Sequence, residues 1–114
     1  MHYRMLVTIE ADQGIQPGNI AKTVEHSLYL RDDFIGETCD FFEIGGRWDG
    51  YLLGCLHNAI RITEEVYSAY LARFEGHKEV EDDNRCMHYM DLNNEPLTTQ
   101  VIGTKWLVVV DCHT

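Results

Sequence analysis

Basic residues and prolines are scarce in this sequence. Its 114 residues include nine Lys and Arg against nineteen Asp and Glu, which gives a formal net charge of −10 at pH 7. Such a surface repels phosphate backbones and anionic lipids, which argues against nonspecific binding to nucleic acids or membranes. The same charge suits a basic protein partner, although it also serves plain solubility. Only two prolines and nine glycines are present, so the chain is neither a linker nor collagen-like.

Long apolar runs and export signals are also lacking. The longest apolar run covers residues 106–110 and is far shorter than a membrane span. The first ten residues contain neither the hydrophobic stretch nor the cleavage site of a signal peptide. We therefore predict a cytoplasmic protein that does not contact membranes. Its length suits a single domain over residues 1–114.

The four cysteines are widely separated and form no CxxC pair. In a reducing cytoplasm they are predicted to be free thiols. Cys55 with His57, and Cys86 with His88, are spaced so that each pair would share one face of a strand. A zinc site would still need four such ligands to converge through the tertiary fold, because the short spacing of a zinc knuckle is absent. We predict neither a metal site nor a cofactor.

Hydrophobic periodicity predicts two helices. Apolar residues recur at helical spacing over 20–28, with Asn19 as a candidate N-cap. A second helix is predicted over 64–75, where Thr63 can cap the first turn and Gly76 ends the pattern.

Several segments have the composition of strands. The last of them is apolar on both faces, as expected at the centre of a sheet. The acidic stretch 79–83 is instead predicted to be a solvated loop. The predicted strands are 3–10, 39–44, 48–53, 86–90, 97–102 and 105–111. Together these elements predict an α+β fold, a mostly antiparallel sheet of about five strands with two helices on one face, in a ferredoxin-like or similar arrangement.

The most distinctive segment follows the aromatic residues of the second predicted strand and contains Gly45, Gly46, Arg47, Trp48 and Asp49. Two glycines permit positive φ and close approach of the backbone. Arg47 can bind a carboxylate or phosphate through two parallel hydrogen bonds. Trp48 can stack on a ring, and Asp49 can orient Arg47. This combination predicts a pocket for a small anionic aromatic ligand such as a nucleotide. The alternative is a β-bulge in which Arg47 pairs internally and Trp48 fills the core.

Asp111 and His113 extend the candidate ligand site. Residues two apart on a strand share a face, so the carboxylate could orient the imidazole as a general base, with Arg47 as a partner. No catalytic residue is assigned. Whether the protein is an enzyme stays open, and a non-enzymatic protein is the favoured interpretation.

Two groups of acidic residues are candidates for binding a partner. If they share one side of the fold, they could engage the Lys and Arg residues of a basic protein. Loops that merely need water would have the same composition. The first group is Asp32, Asp33, Glu37, Asp40 and Glu43, and the second is Glu79, Glu81, Asp82 and Asp83.

The order Ile-Gly-Gly-Arg-Trp-x-Gly over residues 44–50, preceded by aromatic residues, resembles a motif of small uncharacterised proteins from phages and bacterial mobile elements. Some of those proteins also end in a strand similar to residues 110–113. The resemblance covers two short pieces of the chain and implies a phage or prophage origin, and hence the cytoplasm of a bacterial host. Short acidic phage proteins are often inhibitors of host defence, anti-CRISPR proteins among them. The expectation of such a function here rests on analogy with that class of proteins.

Three functional hypotheses follow. The favoured one is a small acidic phage-derived binding protein, anti-CRISPR-like, that inhibits a host defence complex by occupying its basic, nucleic-acid-binding surface. The alternative is a nucleotide or small-anion binder, or an enzyme, with its pocket at the Gly-Gly-Arg-Trp turn. The third is a structural or assembly protein that pairs through exposed sheet edges, so both a monomer and a homodimer are considered.

Overall fold

The centre of the fold is a mixed six-stranded sheet in a computed structural model that describes residues 1–12, 14–31, 34–82 and 87–114, with Asp82 described by its backbone alone. Strands β1 (His2–Glu10) and β6 (Lys105–His113) pair antiparallel along their whole length. β6 is buried at every residue before His113. This burial confirms the prediction that the apolar run 106–110 occupies a strand covered on both faces.

Four shorter strands complete the sheet. β1 and β5 run parallel, and the remaining pairs are antiparallel. The order across the sheet is β2-β6-β1-β5-β4, and β3 pairs with β6 beside β2. β2 and β4 therefore lie at opposite edges. The four strands are β2 (Phe41–Ile44), β3 (Ala59–Arg61), β4 (Glu79–Asp82) and β5 (Met87–Asp91).

Helices cover both faces of the sheet. α1 (Pro17–Leu30) packs its apolar stripe against the face that carries Met5 and Val7. The second helical segment begins as α2 (Glu64–Val66) and continues through residue 74 as a π-helical turn and a 3₁₀ turn. It packs on the opposite face, which carries Leu6. Among the helices of the described ranges, none is long and apolar enough to cross a membrane.

The α+β class, the mostly antiparallel sheet and the two main helices are confirmed. The helices differ from the prediction in their placement, since they lie on opposite faces. Leu6 supplies the physical reason: it breaks the alternation of β1 and is fully buried, because the second face of β1 also belongs to a core. The element order begins β-α-β-β-α-β, as in a ferredoxin-like fold. It departs from that fold because two further strands, β5 and β6, follow β4 and lie on either side of β1 in the sheet.

Three predicted local structures are wrong. Residues 48–53 form no strand, and the strand of this region lies later, at β3. Residues 97–102 contain a 3₁₀ turn instead of a strand, because the Thr98 hydroxyl accepts a hydrogen bond from the backbone of Gln100 and caps that turn. The acidic stretch from Glu79 is an edge strand and not a loop, and its charges oppose pairing with another chain.

The helix boundaries follow local capping chemistry. α1 begins at Pro17, which suits the first helical position. Asn19 therefore lies inside the first turn and does not cap the helix, contrary to the prediction. Thr63 is confirmed as the cap of α2, where its hydroxyl accepts a hydrogen bond from Val66 N at 3.2 Å.

Candidate functional site

A tight turn follows β2 at the two predicted glycines. Gly45 has φ 74° and ψ −71°, and it is followed by a 3₁₀ turn over Gly46–Trp48. Gly45 N donates to Val109 O of β6 at 2.9 Å, and Trp48 N donates to Gly45 O at 2.8 Å. The turn is therefore attached to the central strand by its backbone. Its positive φ angles account for the glycines without reference to a ligand.

The inner side of this turn is filled by the protein's own side chains. A Cβ atom on Gly45 would lie 2.2 Å from the Asn58 amide nitrogen, and one on Gly46 would lie 2.5 Å from Asp111 Cβ. The close approach that glycine permits is thus used by Asn58 and Asp111. A ligand at this turn would have to bind to its outer side, through Arg47 or Trp48.

Asn58 packs close to Gly45 and holds the other end of the turn by hydrogen bonds. Its side-chain oxygen accepts from Gly50 N at 2.9 Å, and its amide donates to the Asp49 carboxylate at 2.9 Å. Asn58 is buried and has φ 62°, a left-handed conformation that asparagine tolerates better than most residues. Asp49 therefore pairs with Asn58, whereas the sequence suggested that it would orient Arg47.

Asp111 is a buried carboxylate that organises the end of β6. It is 6% exposed. One of its oxygens accepts from Arg47 N at 2.9 Å, and the other lies 2.7 Å from His2 Nδ1. His2 is opposite His113 in the β1–β6 register, so it reaches Asp111 from the neighbouring strand. The sequence contained no signal for this partner, because the pairing of the two chain ends is a tertiary property.

His113 shares a sheet face with Asp111, but the carboxylate binds His2 instead. The His113 ring stacks on Phe41 with centroids 4.6 Å apart, and its Nδ1 is 4.0 Å from the Asp40 carboxylate. The acid–imidazole pair considered from the sequence is therefore formed by His2 and Asp111.

Arg47 and Trp48 fit neither sequence interpretation fully. Arg47 is exposed, and within the described ranges its guanidinium has no hydrogen bond or ion pair. Trp48 is half-buried and packs against the core on the α2 side. Arg47 is thus available to a partner, while Trp48 is partly a core residue.

Arg4 is a further residue of this region that sequence reasoning missed. It is opposite Asp111 in the β1–β6 register. Its guanidinium carbon lies 4.4 Å from the Tyr51 ring centroid and 5.9 Å from that of Trp48, which places a cation over two aromatic faces. Arg4 also lines a groove of about 510 Å³ with Tyr51, Tyr70 and other residues of the second helical segment.

The two acidic groups lie at opposite edges of the sheet. Glu37, Asp40 and Glu43 are exposed at or next to β2, and Glu79 and Glu81 are exposed on β4. Three strands separate these edges, so at a spacing of about 4.8 Å per strand they are roughly 19 Å apart. The described members therefore form two separate surfaces. Asp32, Asp33 and Asp83 lie outside the described residues, as does the side chain of Asp82.

Large apolar side chains are exposed around the β2 edge. Phe41 is 55% exposed, Tyr29 61% and Ile35 42%. Tyr29 packs on Phe42, whose side chain points to the α1 face, with ring centroids 4.6 Å apart. The exposed aromatic and aliphatic groups thus border the same edge strand from both faces. Exposed apolar side chains next to exposed carboxylates are typical of a protein-binding surface.

The cysteines that can be placed are not arranged for metal binding. Cys39 and Cys112 are buried in the core on the α1 side, and burial raises the pKa of each thiol. Within the described part of the chain, no group of three His, Cys, Asp or Glu residues could hold a metal ion. Cys86 lies outside the described residues.

A second buried polar cluster lies toward the other end of the sheet. Asp91 accepts from Lys105 Nζ at 2.9 Å and from the Thr8 hydroxyl at 2.7 Å. Burial alone would raise the pKa of Asp91, but hydrogen bonds from Glu95 N, Lys105 and Thr8 hold it below its ordinary value. Because these groups satisfy one another, this cluster has a structural role.

Comparison with known proteins adds no assignment. No protein-family description matches the chain. Neither the curated proteins nor the solved structures include a match.

Proposed function

We propose that the protein is a non-enzymatic, phage-derived binding protein that inhibits a host defence complex by covering one of its basic, nucleic-acid-binding surfaces. The charge of −10 and the resemblance of residues 44–50 to phage proteins support this class of function. The observation that carries the proposal is the surface at the β2 edge. We define the β2-edge surface as Tyr29, Ile35, Glu37, Asp40, Phe41 and Glu43.

This surface combines apolar contact area with negative charge. Phe41 is held in place by stacking on His113, so little conformational entropy is lost when a partner covers it. Asp40 and Glu43 are exposed on either side of it along the chain. An exposed aromatic anchor with a charged rim is the usual composition of an interaction surface.

The charge also indicates the kind of partner. A second copy of the chain would bring the same carboxylates together, which disfavours a dimer through this edge. Lys and Arg side chains on a nucleic-acid-binding protein would instead be attracted, and they would be withdrawn from nucleic acid when the complex forms. Competition with nucleic acid then requires no enzymatic activity.

The test is affinity capture from a bacterial lysate at low and high salt, with two matched double variants. Asp40→Asn/Glu43→Gln removes two charges from the β2 edge, and Glu79→Gln/Glu81→Gln removes two from the β4 edge. We expect the wild type and the β4-edge variant to capture one basic partner in stoichiometric amount at low salt. The β2-edge variant should lose that partner, because it lacks two carboxylates that attract basic side chains at this edge. Its net charge equals that of the β4-edge variant, so a difference between the two reports on the location of the charges.

Inhibition is measured on the captured partner itself. Adding the protein should displace nucleic acid from that complex, and Phe41→Ala should weaken the displacement. A partner retained equally by both double variants contradicts the assignment of the surface. A partner whose nucleic-acid binding is unaffected contradicts the inhibitory function.

A further inference from the structure

Two arginines converge on one sulfur atom at the groove beside the second helical segment. Arg4 Nη2 lies 3.9 Å from Met87 Sδ, and Arg73 Nη2 contacts the same sulfur. Arg4 comes from β1, whereas Arg73 comes from the end of the second helical segment. A thioether is only a weak hydrogen-bond acceptor, so it does not compensate two positive charges. The two arginines and Met87 line the same groove.

Neither guanidinium forms an ion pair with the side chains that the structure describes, which do not include that of Asp82, opposite Met87 in the β4–β5 register. Asp111 is opposite Arg4 in the strand register, but its oxygens are occupied by His2 and Arg47 N. Arg4 Nε is buried and has no hydrogen-bond partner. An anion in the groove could accept charge-assisted hydrogen bonds from the terminal nitrogens of both guanidinium groups.

The walls of the groove are aromatic and rigid. Tyr51 and Tyr70 meet edge to face with centroids 5.4 Å apart. The Tyr70 hydroxyl accepts from Leu53 N at 2.9 Å and donates to the backbone oxygen of Tyr51 at 3.3 Å, which holds the Tyr70 ring in place. The groove has a volume of about 510 Å³, within the range of small-molecule sites. Ser68 adds a hydroxyl to its lining.

We propose that this groove binds a nucleotide, with its phosphate between Arg4 and Arg73 and its base against the tyrosine rings. Arginine holds phosphate through paired N–H donors, and tyrosine faces stack on bases. The site lies on the α2 face and uses none of the β2-edge residues. It is therefore independent of the proposed protein-binding function, and either can fail without the other.

The test is isothermal titration calorimetry of the full chain with AMP and ATP, and with inorganic phosphate and adenosine as separate probes. We expect saturable binding of a nucleotide, weaker binding of phosphate and no binding of adenosine. Arg73→Gln should weaken nucleotide binding at least about tenfold, since a charge-assisted hydrogen bond to phosphate is lost. The matched control is Arg61→Gln, because Arg61 is a partly exposed arginine bonded to Gly103 O outside the groove.

Arg73 is exposed, so its replacement leaves the core intact. Arg4→Lys keeps the charge but loses the planar fork, and it should weaken binding while thermal unfolding stays near that of the wild type. Backbone amide signals of Tyr51 and Ser68 should shift on titration with the nucleotide. The proposal is overturned if neither nucleotide binds, if Arg73→Gln binds as tightly as Arg61→Gln, or if phosphate binds as tightly as the nucleotides.

Discussion

The tight turn after β2 makes Gly45→Ala a severe substitution, and its cost can be worked out from the contacts. Gly45 has φ 74° and ψ −71°, a sparsely populated backbone region in which a non-glycine residue costs about 1–3 kcal/mol. The added Cβ would lie 2.2 Å from the Asn58 amide nitrogen, so Asn58 must move. That movement breaks its hydrogen bonds to Gly50 N and Asp49, each worth about 1 kcal/mol. We therefore expect a total loss of about 3–5 kcal/mol.

Gly54→Ala is the matched control for this substitution. Gly54 has a similar φ of +76°, but a Cβ atom there would meet nothing within 4 Å. It should lose only the backbone contribution, about 1–2 kcal/mol. The measurement is equilibrium unfolding in urea, monitored by circular dichroism. The dependence of the free energy of unfolding on urea concentration is compared between the variants. The excess loss for Gly45→Ala, about 2 kcal/mol, should lower Tm by roughly 8 °C relative to the control.

A double-mutant cycle with Asn58→Ala isolates the contact itself. Once the amide is removed, the added Cβ has room, so Gly45→Ala should cost no more than Gly54→Ala. The reasoning is refuted if Gly45→Ala and Gly54→Ala are equally destabilising in the wild-type background. It is also refuted if the excess cost persists without Asn58.

Two further predictions concern the buried Asp91–Lys105 pair. Lys105→Met should destabilise the fold by about 3 kcal/mol in urea unfolding, because Asp91 is left buried without its cation. The control Lys78→Met, at an exposed site, should change the free energy of unfolding by less than about 0.5 kcal/mol. Equal effects of the two substitutions would contradict a stabilising role for the Asp91–Lys105 pair. The pKa of Asp91 is lowered on folding, so its contribution to stability is present above about pH 4 and is lost as the pH falls through the folded value. The midpoint of urea unfolding should therefore decline below about pH 4 in the wild type and decline less in Asp91→Asn, and parallel declines would count against the assignment.

The α+β class could be predicted because it depends on periodicity within short segments. The helical spacing over 20–28 and the apolar run 106–110 each specify one element and its degree of burial. Strand assignments failed where a local hydrogen bond competed with strand propensity, as at Thr98. They also failed at the acidic edge strand β4, whose charges suit both a solvated loop and a protected sheet edge.

The candidate site was only partly predictable. The unusual backbone at Gly45 and Gly46 is a local property, and the glycines themselves indicated it. The partners of the turn were not predictable, because Asn58 and Asp111 reach it from later segments of the chain. His2 is the clearest case, since it meets Asp111 across 109 positions of sequence.

The sequence by itself determined the elements that local chemistry controls, namely the class of fold, the buried central strand, the turn glycines and the acidic surface. Only the tertiary structure decided which side chains meet and which faces they share. It placed the acidic groups on opposite edges, paired Asp111 with His2, and brought Arg4 and Arg73 to one sulfur atom. The physical reason is that strand order and register align residues far apart in the chain, and a shift of one residue would turn every side chain of a strand to the other face.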